Sequence, residues 1–207
     1  MMLICASFCG RIGAMKTIEK NEIKKVSKIY TDIFSEYEAY DTLFGKRNRL
    51  KRMYYLFVVE VFCAQKFTYK DGDFAAICSI KTPSDREVDM KKLFANPFFD
   101  LAFFANVGVK QAKIAKEYVN MADEVAKKYY NPKTDCYIKN IGVKKEFRGQ
   151  GKLKMMINEI CKDMPIFLET QDEADVAIYK KLGFEVCEIV EWRGITHVAM
   201  RREGKKN

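Results

Sequence analysis

The sequence predicts a mixed α/β protein that folds as one domain over residues 15–207. Two observations carry this prediction. In the second half of the chain, short apolar runs alternate with helix-like segments in the order strand, helix, strand, helix, strand, strand. In the first half, segments with apolar residues at helical spacing surround one hairpin signal. No linker-like stretch separates the halves, so we predict a single domain with a mixed sheet.

Helices are predicted at the start of the chain. Apolar residues follow one helix face through residues 16–40. A polar and basic stretch at 41–52 leads into a second helix. Its apolar side consists of Leu50, Met53, Phe57, Val61 and Ala64.

A hairpin and a long helical region follow. Residues 67–69 and 74–80 flank a turn signal at 70–73, which indicates a hairpin. A surface loop is expected at 82–90. Residues 93–130 are predicted to be mostly helical up to the Asn-Pro pair that follows them.

The second half is predicted to supply most of the sheet. The predicted strands lie at 136–143, 165–170, 184–190 and 195–201. One helix starts near Leu153, and another covers 173–181 and stops at Gly183.

The composition is that of a folded, positively charged protein. Hydrophobic residues make up 48% and charged residues 31% of the 207, which excludes a disordered or collagen-like chain. The net charge of +9 suits an anionic ligand or a nucleic acid. The sequence shows no aromatic RNA-binding platform and no DNA-reading helix, so nucleic acid is not the expected partner. We expect a monomer or a homodimer.

The cysteines, the single histidine and the N-terminus indicate whether the protein binds a metal and in which compartment it works. Seven cysteines are scattered without a CxxC pair, and His197 is the only histidine, so no metal site is predicted. We expect reduced thiols in the cytoplasm. No apolar run approaches the roughly 18 residues that span a bilayer. Residues 1–14 lack the basic start of a signal peptide, and we expect a non-native or disordered extension there.

A glycine-containing turn at 148–151 is the first candidate site. It follows a predicted strand, reads Arg-Gly-Gln-Gly and precedes a helix. Glycines let backbone amides face a ligand, and a helix start adds unpaired N–H groups, so the junction can hold a phosphate or pyrophosphate. It matches neither GxxxxGK[ST] nor GxGxxG. A plain strand-to-helix turn is the simpler explanation, and the spacing alone favours it.

A second segment changes this balance. After Leu-Glu-Thr at 168–170 come Asp175, Tyr179, Gly183 and Phe184. Together with the turn, this segment resembles the GNAT superfamily of acyl-CoA N-acyltransferases. That family has a phosphate loop [RQ]-x-x-G-x-[GA], and later an Asn or Asp, a Tyr four residues on, and then Gly-Phe. Residues 148–151 match the first four loop positions, whereas Leu153 stands where the family has Gly or Ala. The first half is similar to the puromycin acetyltransferase-like branch.

The resemblance implies a fold, a reaction and a cofactor site. The implied fold is of α+β type, with a mostly antiparallel central sheet whose middle strands splay, flanked by helices. The implied reaction moves an acetyl group from acetyl-CoA to a small-molecule amine. The strand before the loop would pair with pantetheine, and the loop amides would hold the pyrophosphate. The implied cofactor-binding residues are Ile141, Gly142, Val143, Arg148, Gly149, Gln150, Gly151, Lys152, Leu153 and Asp175.

Two side chains are candidates for catalysis. Tyr179 matches the family tyrosine that protonates the leaving thiolate, and a core tyrosine is the alternative. Glu169 lies inside an apolar strand beside the expected splay and is the candidate general base, with a structural carboxylate as the alternative. We expect His197 to be structural. Because the cysteines offer no histidine-paired nucleophile, direct transfer is the expected mechanism.

Other functions and the acceptor stay open. Leu153 can turn into the core and leave the loop amides free, or it can weaken the loop, which would favour a non-catalytic acyl-CoA-binding regulatory module. A basic nucleic-acid binder on the same fold is a third reading. The aromatic residues that can line an acceptor pocket are Phe34, Tyr37, Tyr40, Phe98, Phe99, Phe103 and Phe104.

Overall fold

The computed structural model describes residues 15–72, 74–85 and 104–204. The predictions for residues 1–14, and those that fall within 86–103, lie outside the described residues. The helices are α1 (Ile23–Ile33), α2 (Ala39–Phe44), α3 (Arg49–Ala64), α4 (Val109–Tyr129), α5 (Lys152–Cys161) and α6 (Glu173–Lys181). The strands are β1 (Lys16–Thr17), β2 (Thr68–Lys70), β3 (Ala76–Lys81), β4 (Cys136–Val143), β5 (Ile166–Thr170), β6 (Glu185–Trp192) and β7 (Ile195–Arg202).

These seven strands form one sheet in the order β1-β2-β3-β4-β5-β7-β6. β4 and β5 are parallel, and every other neighbouring pair among these strands is antiparallel. The predicted mixed, mostly antiparallel sheet is therefore confirmed. The two predicted hairpins are β2–β3 and β6–β7.

The middle of the sheet is splayed, as expected. β4 and β5 pair only where Cys136–Ile138 lie beside Ile166–Leu168. Beyond that point β4 stays paired with β3, and β5 stays paired with β7. A β-bulge at Lys139, opposite Ser79 and Ile80, coincides with the start of this separation. The two candidate catalytic residues, Glu169 and Tyr179, line the cavity beside this opening between the two parallel strands.

Helices cover both faces of the sheet. In β3, Ile77 packs with the apolar residues of α1 and α3, whereas its neighbours Ala76 and Cys78 pack with those of α5 and α6. This alternation is the two-residue period of a strand that is buried on both faces. Parts of α4 cover the first face near β5 and β7, where Val125 and Ala126 meet Phe167.

The first segment differs from its prediction as one helix over 16–40. Lys16–Thr17 pair with β2 as an edge strand, and the helical part is divided into α1 and α2. The apolar residues of both helices pack into the same cluster, so the helical spacing continues across the turn between them. The apolar spacing alone therefore gives no sign of that turn.

A close approach of α1 to β4 fixes where the first half sits on the sheet. A Cβ at Gly142 would lie 2.9 Å from two side-chain carbons of Ile33. Only a residue without a side chain allows α1 to pack this tightly on the strand. Gly142 therefore has a packing role, whatever its backbone binds.

Candidate active site

A cavity of about 550 Å³ opens beside the splay of β4 and β5. Its walls come from α2, α3, α4, α6, β3, β4, β5 and β7, and from the segment between α1 and α2. Both candidate catalytic residues, Glu169 and Tyr179, line it, as does Asp175. Glu169, Asp175 and Tyr179 are 4 to 10 positions apart in the sequence, and they share the cavity with α3 and α4, which lie 40 or more positions before Glu169.

Glu169 is held by two hydrogen bonds. The hydroxyl of Tyr137 donates to Oε2, and Nε2 of His197 lies 3.0 Å from Oε1. The side chain of Glu169 is 11% exposed, and that of His197 is 1% exposed. A carboxylate oxygen has two lone pairs, so both oxygens can still accept a further proton donor from the cavity.

Both ring nitrogens of His197 have hydrogen-bond partners. Its Nδ1 lies 2.8 Å from the hydroxyl of Tyr118, a residue of α4. An ionised Glu169 can only accept, so Nε2 carries the proton and donates to Glu169, while Nδ1 accepts from Tyr118. The expectation that His197 is structural thus becomes more specific, because it orients Glu169. Burial, followed by the charge of Glu169, raises the pKa of Tyr118 and keeps it protonated.

Tyr179 is positioned by the end of α6. The amide of Phe184 donates to the carbonyl of Tyr179 at 3.0 Å, and Gly183 between them has a φ of +86°. This is the Schellman closure that the Gly-Phe pair predicts. The rings of Tyr179 and Phe184 also meet edge to face, with centroids 5.6 Å apart. Burial, followed by the charge of Asp175, raises the pKa of Tyr179.

Asp175 connects the two halves of the chain. Its Oδ2 accepts a hydrogen bond of 2.6 Å from the hydroxyl of Tyr37, which lies between α1 and α2. Thr170 donates to the same oxygen at 3.4 Å. Burial raises the pKa of Asp175 above its ordinary value. Asp175 therefore ties α6 to the segment between α1 and α2 at the cavity wall.

Glu60 is a cavity residue that the sequence analysis missed. It lies on α3, and its Oε2 accepts a hydrogen bond of 3.1 Å from Nδ2 of Asn140 on β4. Burial raises the pKa of Glu60. The available signal was a single acidic residue within the otherwise apolar run Leu-Phe-Val-Val-Glu-Val-Phe at 56–62.

The glycine turn lies on the surface at the end of β4. Gly149 and Gly151 have φ values of +78° and +73°, which other residues rarely adopt. Within the described ranges, neither a side-chain cap nor a backbone carbonyl accepts from the amides of residues 149–154. The first intrahelical bond there runs from the amide of Met155 to Gly151. The turn therefore presents a row of unpaired N–H groups at a helix start.

The positions that depart from the family pattern have defined contacts. Leu153 packs against the apolar cluster beneath α5, so its side chain points away from the turn. Of the two alternatives for Leu153, the structure favours the one that leaves the amides free. Lys152 Nζ lies 2.6 Å from Oδ2 of Asp71, in the β2–β3 turn, so its charge is partly compensated.

The remaining predicted cofactor residues share one strand or the turn itself. Ile141, Gly142 and Val143 pair with β3 on one side, and their other edge faces the splay. Arg148 and Gln150 are exposed, and they donate to the carbonyls of Val143 and Glu146 at 3.4 Å. A ligand that follows this edge would run from the turn toward the cavity.

Three further features of the described residues concern metal binding, the membrane and the cysteines. In these ranges no three His, Cys, Asp or Glu side chains are grouped so as to hold a metal ion. None of the described helices is long and apolar enough to cross a membrane. The cysteines among them, Cys63, Cys78, Cys136, Cys161 and Cys187, are free thiols.

Solved structures share this fold at low sequence identity. A histone acetyltransferase HPA2 and related acetyltransferase from Corynebacterium glutamicum matches with a TM-score of 0.64 and 12% identity, covering 95% of this chain and 98% of that one. The C-terminal condensation domain of Ebony, in complex with β-alanyl-dopamine, matches with a TM-score of 0.61, 10% identity, and coverage of 92% and 98%. A GNAT-family acetyltransferase from Streptococcus agalactiae matches with a TM-score of 0.51, 14% identity, and coverage of 93% and 96%.

Sequence comparison gives no such match. No protein-family model matches this chain, and no curated protein sequence matches it. The likeness to the solved structures therefore concerns the fold. The chain has the fold of the GNAT-family acetyltransferases.

Proposed function

We propose that the protein is an acyl-CoA-dependent N-acetyltransferase that moves an acetyl group from acetyl-CoA to an amine by direct transfer. The observation that carries this proposal is a continuous path: the unpaired amides of the turn, the free edge of β4, and the cavity that holds Glu169 and Tyr179. The amides would bind the pyrophosphate. Ile141 to Val143 would pair with the pantetheine arm, which brings the thioester to the splay.

The two catalytic candidates have complementary roles in this mechanism. The amine nitrogen attacks the thioester carbonyl carbon, the C–N bond forms and the C–S bond breaks. Glu169 takes the proton that the amine loses, directly or through a water, because each of its oxygens keeps a lone pair. Tyr179 gives its proton to the departing sulfur, and its raised pKa keeps that proton in place until charge develops.

The neighbours of Glu169 act as positioning residues. Tyr137 and His197 fix both oxygens, and Tyr118 fixes His197 from the other side. His197 cannot itself accept the amine proton without losing one of its hydrogen bonds. Glu169 is therefore a better general base than His197.

Direct transfer is favoured over an acyl-enzyme. Cys63 is the cysteine that lines the cavity, and burial raises its pKa to about 11. A thiol with this pKa is almost entirely protonated at neutral pH and is a poor nucleophile. The amine therefore attacks acetyl-CoA itself.

The proposal also covers several finer assignments. They are kinship to the puromycin acetyltransferase-like branch, a single domain over 15–207, a cytoplasmic location, and a monomeric or homodimeric state. The helical first half that packs on Gly142 supports the first two, because α1 and α3 share a core with β3. A small-molecule amine fits a cavity of about 550 Å³.

The proposal is tested by calorimetric titration of the chain with acetyl-CoA, followed by thiol release in the presence of amines. We expect binding in the micromolar range and amine-dependent release. Tight binding without turnover of any amine would instead indicate the regulatory module. If acetyl-CoA does not bind, the acetyltransferase proposal is wrong.

A further inference from the structure

The cavity carries the opposite charge from the rest of the protein. The chain has a net charge of +9, yet four carboxylates line the cavity against two lysines. The carboxylates belong to Glu60, Asp123, Glu169 and Asp175, and the lysines are Lys81 and Lys139. Around the turn the bias is reversed, with Lys144, Lys145, Arg148, Lys152 and Lys154 in one short stretch. Donor and acceptor ends thus differ in electrostatic sign.

The walls between these carboxylates are aromatic. Tyr37, Tyr40 and Tyr137 are half-buried and line the cavity, as do the more deeply buried Phe34 and Tyr118. Phe34 meets Tyr37 edge to face, with centroids 5.2 Å apart, and lies tilted against Tyr40, with centroids 6.5 Å apart. Such faces attract a cation and also pack against a flat ring. Aromatic walls and carboxylates together suit an organic ammonium ion with an aromatic body.

We propose that the acceptor is a primary arylalkylamine without a carboxylate group, and that Glu60 is a specificity-determining residue that attracts its ammonium ion. This inference rests on the proposed function. A carboxylate next to the amine, as in an amino acid, would face Glu169 and Asp175 and be repelled. An aliphatic diamine would satisfy the charges but leave the aromatic walls unfilled.

Glu60 is suited to recognition rather than to proton transfer. Asn140 holds one oxygen of its carboxylate from the strand below, which fixes the group at the cavity wall. Glu169, by contrast, has the hydrogen-bonded support of Tyr137 and His197. Loss of charge at Glu60 should therefore weaken amine binding, whereas loss at Glu169 should slow the reaction.

The test compares four acceptors at saturating acetyl-CoA: 2-phenylethylamine, 2-cyclohexylethylamine, L-phenylalanine and putrescine. We expect kcat/KM for 2-phenylethylamine to exceed that for each of the others by about tenfold or more. A better rate with putrescine, with L-phenylalanine or with the cyclohexyl amine overturns the acceptor assignment and leaves the acetyltransferase function intact. If no amine accelerates thiol release although acetyl-CoA binds, both proposals fall.

The role of Glu60 is tested with Glu60→Gln, which keeps an oxygen for Asn140. The KM for 2-phenylethylamine should rise about tenfold, while kcat and the Kd for acetyl-CoA stay within about twofold. Glu124→Gln is the matched control, because Glu124 is an exposed residue of α4 paired with Lys127. An unchanged KM in Glu60→Gln, with the fold intact by thermal unfolding, would overturn the assignment of Glu60.

Discussion

The turn at 148–151 and the cavity differ in the source of their chemistry. At the turn, the groups proposed to bind a ligand are backbone amides in an exposed segment whose two glycines have positive φ. In the cavity, they are side chains, largely buried and held by partners on other elements. A substitution at the turn therefore acts through backbone conformation, and a substitution in the cavity acts through the group it removes. The following predictions test this difference.

The largest effect is expected at the turn. Replacing both Gly149 and Gly151 by valine should weaken acetyl-CoA binding at least about 100-fold, because a β-branched residue resists a positive φ. No atom lies within 4 Å of a Cβ at either position, so the loss would come from the backbone and not from a clash. Calorimetry measures the Kd, and thermal unfolding checks the fold.

The matched control for the turn is Gly194→Val. Gly194 has a φ of +77° and equally open surroundings, but it lies in the β6–β7 turn. The Gly194→Val variant should have similar local backbone strain and should leave the affinity for acetyl-CoA unchanged. Equal affinity in the double variant and the wild type would remove the phosphate-binding assignment.

In the cavity, Glu169→Gln should lower kcat/KM about 100-fold, because the amide keeps the shape and loses the basicity. The loss should shrink at high pH, where more of the amine is already deprotonated. Steady-state rates from pH 6 to 10 measure both effects. Glu185→Gln, an exposed position of β6, is the control.

His197 supplies a second check on the same network. Because it only orients Glu169, His197→Gln should cost about tenfold in kcat. A Glu169→Gln variant that melts earlier but keeps its rate would make the carboxylate structural.

A smaller effect is expected for Tyr179→Phe. The ring contact with Phe184 is retained and only the hydroxyl is lost, so the Kd for acetyl-CoA should stay within a few-fold. The kcat should fall about tenfold, because the proton is needed only as the thiolate departs. Tyr69→Phe on β2 serves as the control. Pre-steady-state thiol release separates chemistry from product release, and an unaltered chemical step would reduce Tyr179 to a packing residue.

The smallest effect concerns stability and pH. Burial raises the folded-state pKa of Glu60, so its stabilising contribution is complete below the unfolded pKa of about 4.3 and is lost as the pH rises through the folded pKa. Glu60→Gln removes this penalty while keeping the bond to Asn140. The variant should therefore melt a few degrees above the wild type at pH 7 and at the same temperature near pH 4.

Glu188 provides a control of opposite sign. A hydrogen bond from Lys128 lowers the pKa of Glu188, so its contribution is present above the unfolded pKa and is lost as the pH falls through the folded pKa. Glu188→Gln should lower Tm at pH 7, with a difference that fades toward pH 3. If Glu60→Gln and Glu188→Gln change Tm at pH 7 in the same direction, the causes assigned to the two pKa shifts are wrong.

The difference between the two regions also explains what the sequence could predict. The turn, the Tyr179 position and its Gly-Phe stop depend on residues within a few positions of one another, so local spacing was enough. The strands of the second half were predicted for the same reason, and the sheet class is confirmed. The roles of the individual site residues stay predictions.

The hydrogen bonds that hold the cavity side chains in place could not be predicted, because the residues they join are distant in sequence. Tyr118 and His197 are 79 positions apart, and Glu60 and Asn140 are 80 apart. Each of these residues alone looks like an ordinary polar residue of a helix or strand. Only the packing of α3 and α4 against the sheet brings them to one wall.

The bulge at Lys139 has a consequence for how β4 serves both faces of the sheet. A regular strand alternates strictly, so residues an odd number of positions apart point to opposite sides. Ile138 and Ile141 are three apart, yet both lie in the cluster beneath α5. The extra residue at the bulge shifts the alternation by one, so that residues three apart across it point to the same side of the sheet. As a result Tyr137, which supports Glu169, and Asn140, which supports Glu60, both reach the cavity from a single strand.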